Sequence, residues 1–236
     1  MHGSILLTAG AGSRMGPAVT DKILEKIGTS NAFRMSFRAF SKVKEISIIV
    51  VVYRDDSQKK QIQREIKLVE DFNPNQEIIL VKGGPQRSDS VRNGLLALPD
   101  PCIFAHIHDC ARPMIRSETV DFMVSKVTQM NPVAVARLAT NTIRKDISEL
   151  TSEENLKTTE TLDRTKLWEM ETPQSAPKSW LIQGYQKAKE LNILITDDIH
   201  ALELVSKKII LFDPGYPNPK ITHDQDLTYI KFLINT

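Results

Sequence analysis

Cysteine is nearly absent. Cys102 and Cys110 are the two in 236 residues, so neither a disulfide framework nor a four-cysteine zinc site can be built, and both read as free thiols in a reducing compartment. One-sided charge is missing too: 31 Lys and Arg stand against 29 Asp and Glu, a formal net charge of +2. No basic stripe with interleaved aromatics accompanies it, which argues against nucleic acid as a partner. No apolar run approaches a membrane span, and the first, Ser4 to Ala9, is too short for a signal-peptide core and lacks a basic leader. The expectation is a protein without a membrane partner, cytoplasmic, or resident in the plastid stroma if a transit peptide has been removed.

What is present suffices for a core. With 41% hydrophobic residues, the chain fits one large domain over residues 1–236. Apolar, β-branched runs recur at 4–9, 46–53, 77–82, 102–108 and 132–138, with segments of helical period between them. Continuously apolar strands separated by helices require a sheet covered on both faces, so the fold class is α/β, doubly wound and mostly parallel. Ligands then belong at the carboxyl ends of the strands. Residues 140–168 are polar and poor in large apolar side chains, which reads as an extended arm, taken as 140–166, resting on a second subunit. Helical patterning returns at 177–191 and 197–206, followed by a strand at 208–213 and a closing helix.

The stretch ILLTAGAGSRMG, residues 5–16, runs the first strand into Gly10, Gly12 and Gly16 with Arg14 among them. Backbone without Cβ atoms lets successive N–H groups approach phosphate oxygens. Two familiar cradles fail on register: Met15 stands where a dinucleotide fingerprint needs its third glycine, and Pro17 follows Gly16 where a P-loop needs lysine. The charge on the loop, Arg14 and then Lys22, suits a ligand whose phosphates gain charge during reaction. Four later segments add to it: GGPQRSDSVRNGL (83–95), HDCARP (108–113), TLDRTKLWEMETPQ (161–174) and NPKIT (218–222).

In this ordered set the sequence resembles the 2-C-methyl-D-erythritol 4-phosphate cytidylyltransferases of the non-mevalonate isoprenoid pathway. Their pattern is an Ala-Ala-Gly-x-Gly-x-Arg-Met loop with a following lysine, then Gly-Gly-x-x-Arg-x-Asp-Ser-Val, His-Asp-Ala-Ala-Arg-Pro, Leu-Asp-Arg before Trp, Thr-Pro-Gln, Thr-Asp-Asp/Glu, and Asn-Ile-Lys-Ile/Val-Thr. The resemblance implies a Rossmann-like nucleotidyltransferase domain and a homodimer formed through the arm, with CTP and a sugar-alcohol phosphate as substrates and Mg²⁺ as cofactor. Ala9, Gly10, Gly12, Gly84 and Ser90 would surround the nucleotide. Asp109 would sit at the magnesium and ribose region. Arg14, Lys22 and Lys220 would be the catalytic cations. Arg112, Thr142, Arg164 and Thr172 would bind the acceptor, with Thr142 and Arg164 serving the neighbouring subunit. The acceptor phosphate is already an anion near neutral pH, so in-line attack on the α-phosphorus needs counter-charge rather than a base.

Departures from the pattern fall at Thr8, Pro85, Gln86, Cys110, Asn141, Pro219, Ile199 and His200. Pro85 brings no side-chain acceptor, so reading the cytosine amino group falls more to backbone carbonyls. Three rival functions stand beside the main one. A pentitol-phosphate cytidylyltransferase would share the loop and the chemistry. A two-metal hydrolase could draw on His106, His108, Asp109, Asp197, Asp198, His200 and His223, although a satisfied core pair explains His106 and His108 as readily. A catalytically silent nucleotide-binding subunit would not need so many charges in one site. Met35, Phe37, Phe40 and Val43 read as a helix face packed on the sheet, and the charged run 55–67 as a solvated helix exterior.

Overall fold

The structure is a computed structural model, and it describes residues 1–10, 12, 21–148 and 157–235. Eleven strands and seven α-helices follow in chain order among these residues. They are β1 (His2–Leu7), β2 (Lys26–Ile27), β3 (Ser30–Asn31), α1 (Ala32–Ser41), β4 (Ile46–Tyr53), α2 (Asp56–Lys67), β5 (Glu77–Lys82), α3 (Arg87–Ala97), β6 (Phe104–Asp109), α4 (Ser117–Lys126) and β7 (Val133–Leu138). Then come β8 (Arg144–Asp146), β9 (Thr159–Thr161), β10 (Trp168–Pro177), α5 (Lys178–Glu190), α6 (Asp198–Glu203), β11 (Ile210–Phe212) and α7 (Asp224–Asn235).

Seven strands form one sheet in the order β11-β7-β10-β6-β1-β4-β5. All run parallel except β10, which is antiparallel to both β6 and β7. Alternation along the central strands decides which helix layer each side chain meets. Ile5, Ile48, Val50 and Val52 face one core with α3, α5 and α6, while Leu6, Ile49 and Val51 face the other with α1, α2, α4 and α7. The doubly wound α/β expectation therefore holds, and Phe37, Phe40 and Val43 are buried against the sheet as anticipated.

Local sequence starts the helices. Asn31 caps α1 by accepting from Arg34 N at 2.8 Å, and Asp55 caps α2 by accepting from Gln58 N at 2.8 Å. Asp197 does the same for α6 through His200 N at 2.9 Å. Of the seven-stranded sheet, patterning misses β10, whose WEMETPQSAP contains two prolines and polar residues. Its polar side chains lie inside the sheet because each finds a partner there: Ser175 Oγ meets His106 Nδ1 at 2.8 Å, and the Thr172 hydroxyl sits 3.0 Å from His108 Nδ1. The arm segment contains a short antiparallel ribbon of β8 and β9, with residues 149–156 outside the described part.

Two predictions follow from packing and burial. Gly184 of α5 lies against α6 so closely that a Cβ would stand 2.2 Å from the Ala201 carbonyl oxygen. Alanine gains up to about 1 kcal/mol of helix propensity, whereas overpacking costs about 1–3 kcal/mol, so Gly184→Ala should lower the melting temperature in a thermal scan. The second concerns His106 and His108, fully buried, with pKa values lowered to about 3 by burial. The unfolded chain binds protons at these histidines below pH 6.5 while the folded one does not, so their stabilisation is complete above that pH and shrinks on acidification towards 3. Stability should fall by roughly 2 kcal/mol for each histidine between pH 7 and pH 5; a melting temperature constant over that interval would contradict this.

Candidate active site

Winding reverses at β1, with β4 and β5 to one side and β6 to the other. A parallel sheet opens a crevice outside its strand ends at such a point. Register brings those ends into line: Leu7 pairs with both Val52 and Asp109, and Val52 pairs with Val81. The glycine loop leaves β1 here, the Gly83-Gly84 pair leaves β5, and Asp109 ends β6.

A cavity of about 540 Å³ lies in this crevice. Of the residues expected from sequence, Ala9, Gly10, Gly12, Lys22, Gly84, Ser90, Asp109 and Lys220 line it. Ser90 Oγ accepts from Gly84 N at 3.2 Å, and a Cβ at Gly84 would fall 2.3 Å from that of Asp89, so the chain turns tightly against the start of α3. Gln86 N donates to Asp89 Oδ2 at 3.2 Å, which ties the segment carrying Pro85 to the helix. The Thr8 hydroxyl donates to the Val52 carbonyl, so this departure has a structural use.

A second hollow of about 290 Å³ adjoins the first and shares Arg87, Asp109 and Lys220 with it. Arg112 and Thr172 line it, joined by Glu171 and Gln174. Arg112 is pinned by two backbone carbonyls, Asn218 O at 2.9 Å and Met170 O at 3.1 Å. Thr172 Oγ1 accepts from Asp109 N at 3.1 Å. Ile221 N donates to Ala111 O at 2.7 Å, which lays Lys220 beside Asp109, and Lys22 Nζ donates to Ile221 O at 2.9 Å.

Charge at the junction alternates. Lys220 Nζ pairs with Asp109 Oδ2, and Arg87 Nε donates to Asp109 Oδ1 at 3.1 Å. The same guanidinium grips Asp198 with two bonds, at 3.2 and 2.8 Å, and Asp198 also accepts from the Tyr185 hydroxyl. Burial alone would raise the Asp109 carboxyl, but Arg87 and Lys220 hold it far below the usual carboxylate range. Burial likewise opposes charge on Arg87, and Asp109 with Asp198 overcomes it, raising the guanidinium well above its ordinary value. Arg112 is lowered by burial, offset in part by Glu171.

Sequence reasoning does not single out Arg87, which lines both hollows, although one signal points to it. It opens α3, and a cation at a helix N-terminus opposes the helix dipole, so something else must hold it there. Two expected residues stand apart from both hollows: Thr142 and Arg164 are exposed, and Arg164 Nη1 donates to Thr140 O at 2.7 Å. Arg14 lies outside the described residues. Among the described residues no three His, Cys, Asp or Glu side chains converge as a metal cage. His106 instead bonds to His2 and Ser175, so the two-metal hydrolase finds no support there.

Comparison with known proteins agrees with this geometry. Residues 3–236 match the family described as "IspD: 2-C-methyl-D-erythritol 4-phosphate cytidylyltransferase". The chain is 32% identical over 231 residues to the chloroplastic 2-C-methyl-D-erythritol 4-phosphate cytidylyltransferase of Oryza sativa subsp. japonica, covering 98% of this chain and 73% of the rice protein. It is 30% identical to the Clostridium botulinum protein of the same name, covering 94% of this chain and 93% of that one. Among solved structures, 4-diphosphocytidyl-2C-methyl-D-erythritol synthase from Anaerococcus prevotii superposes with a TM-score of 0.81 at 21% identity, covering 100% of this chain and 96% of the other. The Thermus thermophilus cytidylyltransferase gives 0.74 at 18% identity with both chains covered completely; at such identities the likeness speaks for the fold. On the match along its whole sequence, the chain belongs to the 2-C-methyl-D-erythritol 4-phosphate cytidylyltransferase family and is a nucleotidyltransferase.

Proposed function

We propose that the two hollows hold the two substrates of the family reaction, CTP in the larger and 2-C-methyl-D-erythritol 4-phosphate in the smaller, and that the charges between them carry the catalysis. The observation that supports this most is the position of Asp109, Arg87 and Lys220 on the wall common to both. A phosphate oxygen of the acceptor attacks the α-phosphorus of CTP, the bond from that phosphorus to the bridging oxygen breaks, and pyrophosphate leaves with the electron pair. The product is 4-diphosphocytidyl-2-C-methyl-D-erythritol. The second pKa of a phosphate monoester is about 6, so the nucleophile is largely a dianion at neutral pH and no residue need act as a base.

The barrier is then the meeting of two polyanions. Lys22 and Lys220 both line the larger hollow, the Lys22 ammonium bonded to the carbonyl of the residue after Lys220, and there they offset charge growing on the leaving pyrophosphate. Arg14 joins them on the strength of the resemblance. Gly10, with open space where a Cβ would project, lets the nucleotide approach the backbone, and Ala9, Gly12, Gly84 and Ser90 complete the nucleotide wall. Arg112 and Thr172 face the acceptor. Thr142 and Arg164, exposed on the arm, reach the acceptor bound to a second subunit of a homodimer.

Mg²⁺ fits the donor set at the junction. It binds through one or two carboxylates and takes its remaining positions from phosphates and water, and Asp109 supplies a carboxylate kept ionised by its neighbours. Asp109 would hold the ion, which neutralises phosphate oxygens when bound. A pentitol phosphate is the second acceptor to test, because nothing in the glycine loop distinguishes it.

In a pyrophosphate-release assay, CTP with 2-C-methyl-D-erythritol 4-phosphate should be the productive pair in a panel containing UTP, ATP and pentitol phosphates. Preference for another nucleotide, or release without an acceptor, would sink the reading. Lys22→Ala and Lys220→Ala should each lower kcat by roughly 10²–10³, the scale of losing one preorganised transition-state donor, with a much smaller change in KM for CTP. A loss confined to KM would assign these lysines to ground-state binding instead.

A further inference from the structure

Charge patterning makes residues 55–67 a solvated helix, and most of α2 obeys it. Gln58 does not: it is 1% exposed, although it lies in the first turn of α2. Its carboxamide turns back beneath the sheet edge and uses every polar hydrogen it has. Nε2 donates to Thr8 O at 3.0 Å and to Asp21 Oδ2 at 2.6 Å, and Oε1 accepts from Arg54 N at 2.6 Å. Thr8 is the residue from which the chain enters the glycine segment, and Asp21 immediately precedes Lys22. One side chain thus ties Thr8, at the end of β1, to Asp21 and both to the end of β4.

Both tied ends are themselves held. The Thr8 hydroxyl and backbone N–H both reach Val52 O, so the carbonyl given to Gln58 has a fixed direction. Asp21 is 9% exposed; it accepts from Ile23 N at 3.2 Å and from Arg54 Nη2 at 3.2 Å, and its carbonyl accepts from Leu24 N and Glu25 N. The turn fixed in this way carries Lys22. Joining Thr8 to Asp21 through a buried, fully bonded group removes freedom at Thr8 and in the turn bearing Lys22 that would otherwise have to be lost when the triphosphate binds. Carboxamide chemistry is specific to the task, since two donors on one nitrogen serve a carbonyl and a carboxylate together while the oxygen takes an N–H.

We infer that Gln58 is a positioning residue for cytidylyl transfer, clasping Thr8 to Asp21 so that the end of β1 and Lys22 meet the triphosphate preorganised. This rests on the reading that the larger hollow takes CTP. Gln58 touches no substrate; its effect passes through Thr8, Asp21 and Lys22. Glutamate in its place would keep the acceptor for Arg54 N, lose both donors and stand a carboxylate against Asp21. Changing Asp21 to Asn as well removes that repulsion and returns one donor to the pair.

The test is steady-state pyrophosphate release with each substrate varied, alongside thermal unfolding, for wild type, Gln58→Leu, Gln58→Glu and the double variant Gln58→Glu/Asp21→Asn. Gln58→Leu should raise KM for CTP and lower kcat, each by about tenfold, while KM for the acceptor phosphate moves less than twofold. The double variant should recover at least fivefold in kcat/KM for CTP over Gln58→Glu, and this comparison decides the matter should Gln58→Leu fail to fold. Gln58→Leu with both CTP constants within twofold of wild type overturns the inference alone, as does a double variant no better than the single. Wild-type protein that releases no pyrophosphate from CTP with any acceptor overturns the underlying reading, and the inference with it.

Discussion

Two carboxylates share one guanidinium at the heart of the cleft. Asp109 and Asp198 belong to different layers, one ending β6 and the other opening α6, and Arg87 from a third element stands between them. Remove the arginine and Asp109 keeps Lys220, but the fully buried Asp198 loses its cation and keeps only the Tyr185 hydroxyl on its side chain, a cost far above that of an exposed ion pair. The bidentate grip on Asp198 sets the guanidinium plane, and the remaining N–H bond aims at Asp109. α6 is held in turn by Gln174 Oε1, which accepts from the backbone N–H groups of Asp198 and Ile199 at 2.8 and 3.1 Å. The junction between the hollows therefore depends on strand β10 and helices α3 and α6 keeping their relative places.

Much of this was legible because the central strands are apolar on both faces. Ile46–Tyr53 and Glu77–Lys82 emerge with the bounds that patterning assigned, and their carboxyl ends carry the site. Legibility fails where polar residues are buried with partners. β10 does not look like a strand because Thr172, Gln174 and Ser175 enter the sheet through side-chain bonds that hydrophobic periodicity cannot register. Gln58 fails for the same reason, hidden in a run of charged neighbours by a local pattern that says nothing of Thr8 or Asp21. The charge ladder through Arg87 joins positions more than a hundred residues apart along the chain, and only folding reveals it.

The departures from the family pattern sort by what surrounds them. Thr8 brings a hydroxyl that bonds to the neighbouring strand, so the change fastens the loop base. Cys110 is fully buried, and burial pushes its thiol up, which leaves it inert packing beneath the cleft. Ile199 is buried in the α5–α6 core, whereas His200 lies at the helix surface with its ring nitrogen 3.3 Å from Thr196 Oγ1. None of these replaces a group in the charge ladder.

The reversed direction of β10 has an evolutionary corollary. Elsewhere in the sheet, ligand-facing residues follow a strand end, where insertions and deletions are tolerated. Glu171 and Thr172 instead face the cleft from within a strand whose flanking residues pair with β6 and β7 on either side. The pairing with β7 steps there from Met170 opposite Ala136 to Gln174 opposite Ala134, so β10 already carries residues beyond its partner's count and bulges where they lie. This wall of the smaller hollow thus sits where the strand has already absorbed extra length, and it can be reshaped there while the pairs at Met170 and Gln174 stay in place.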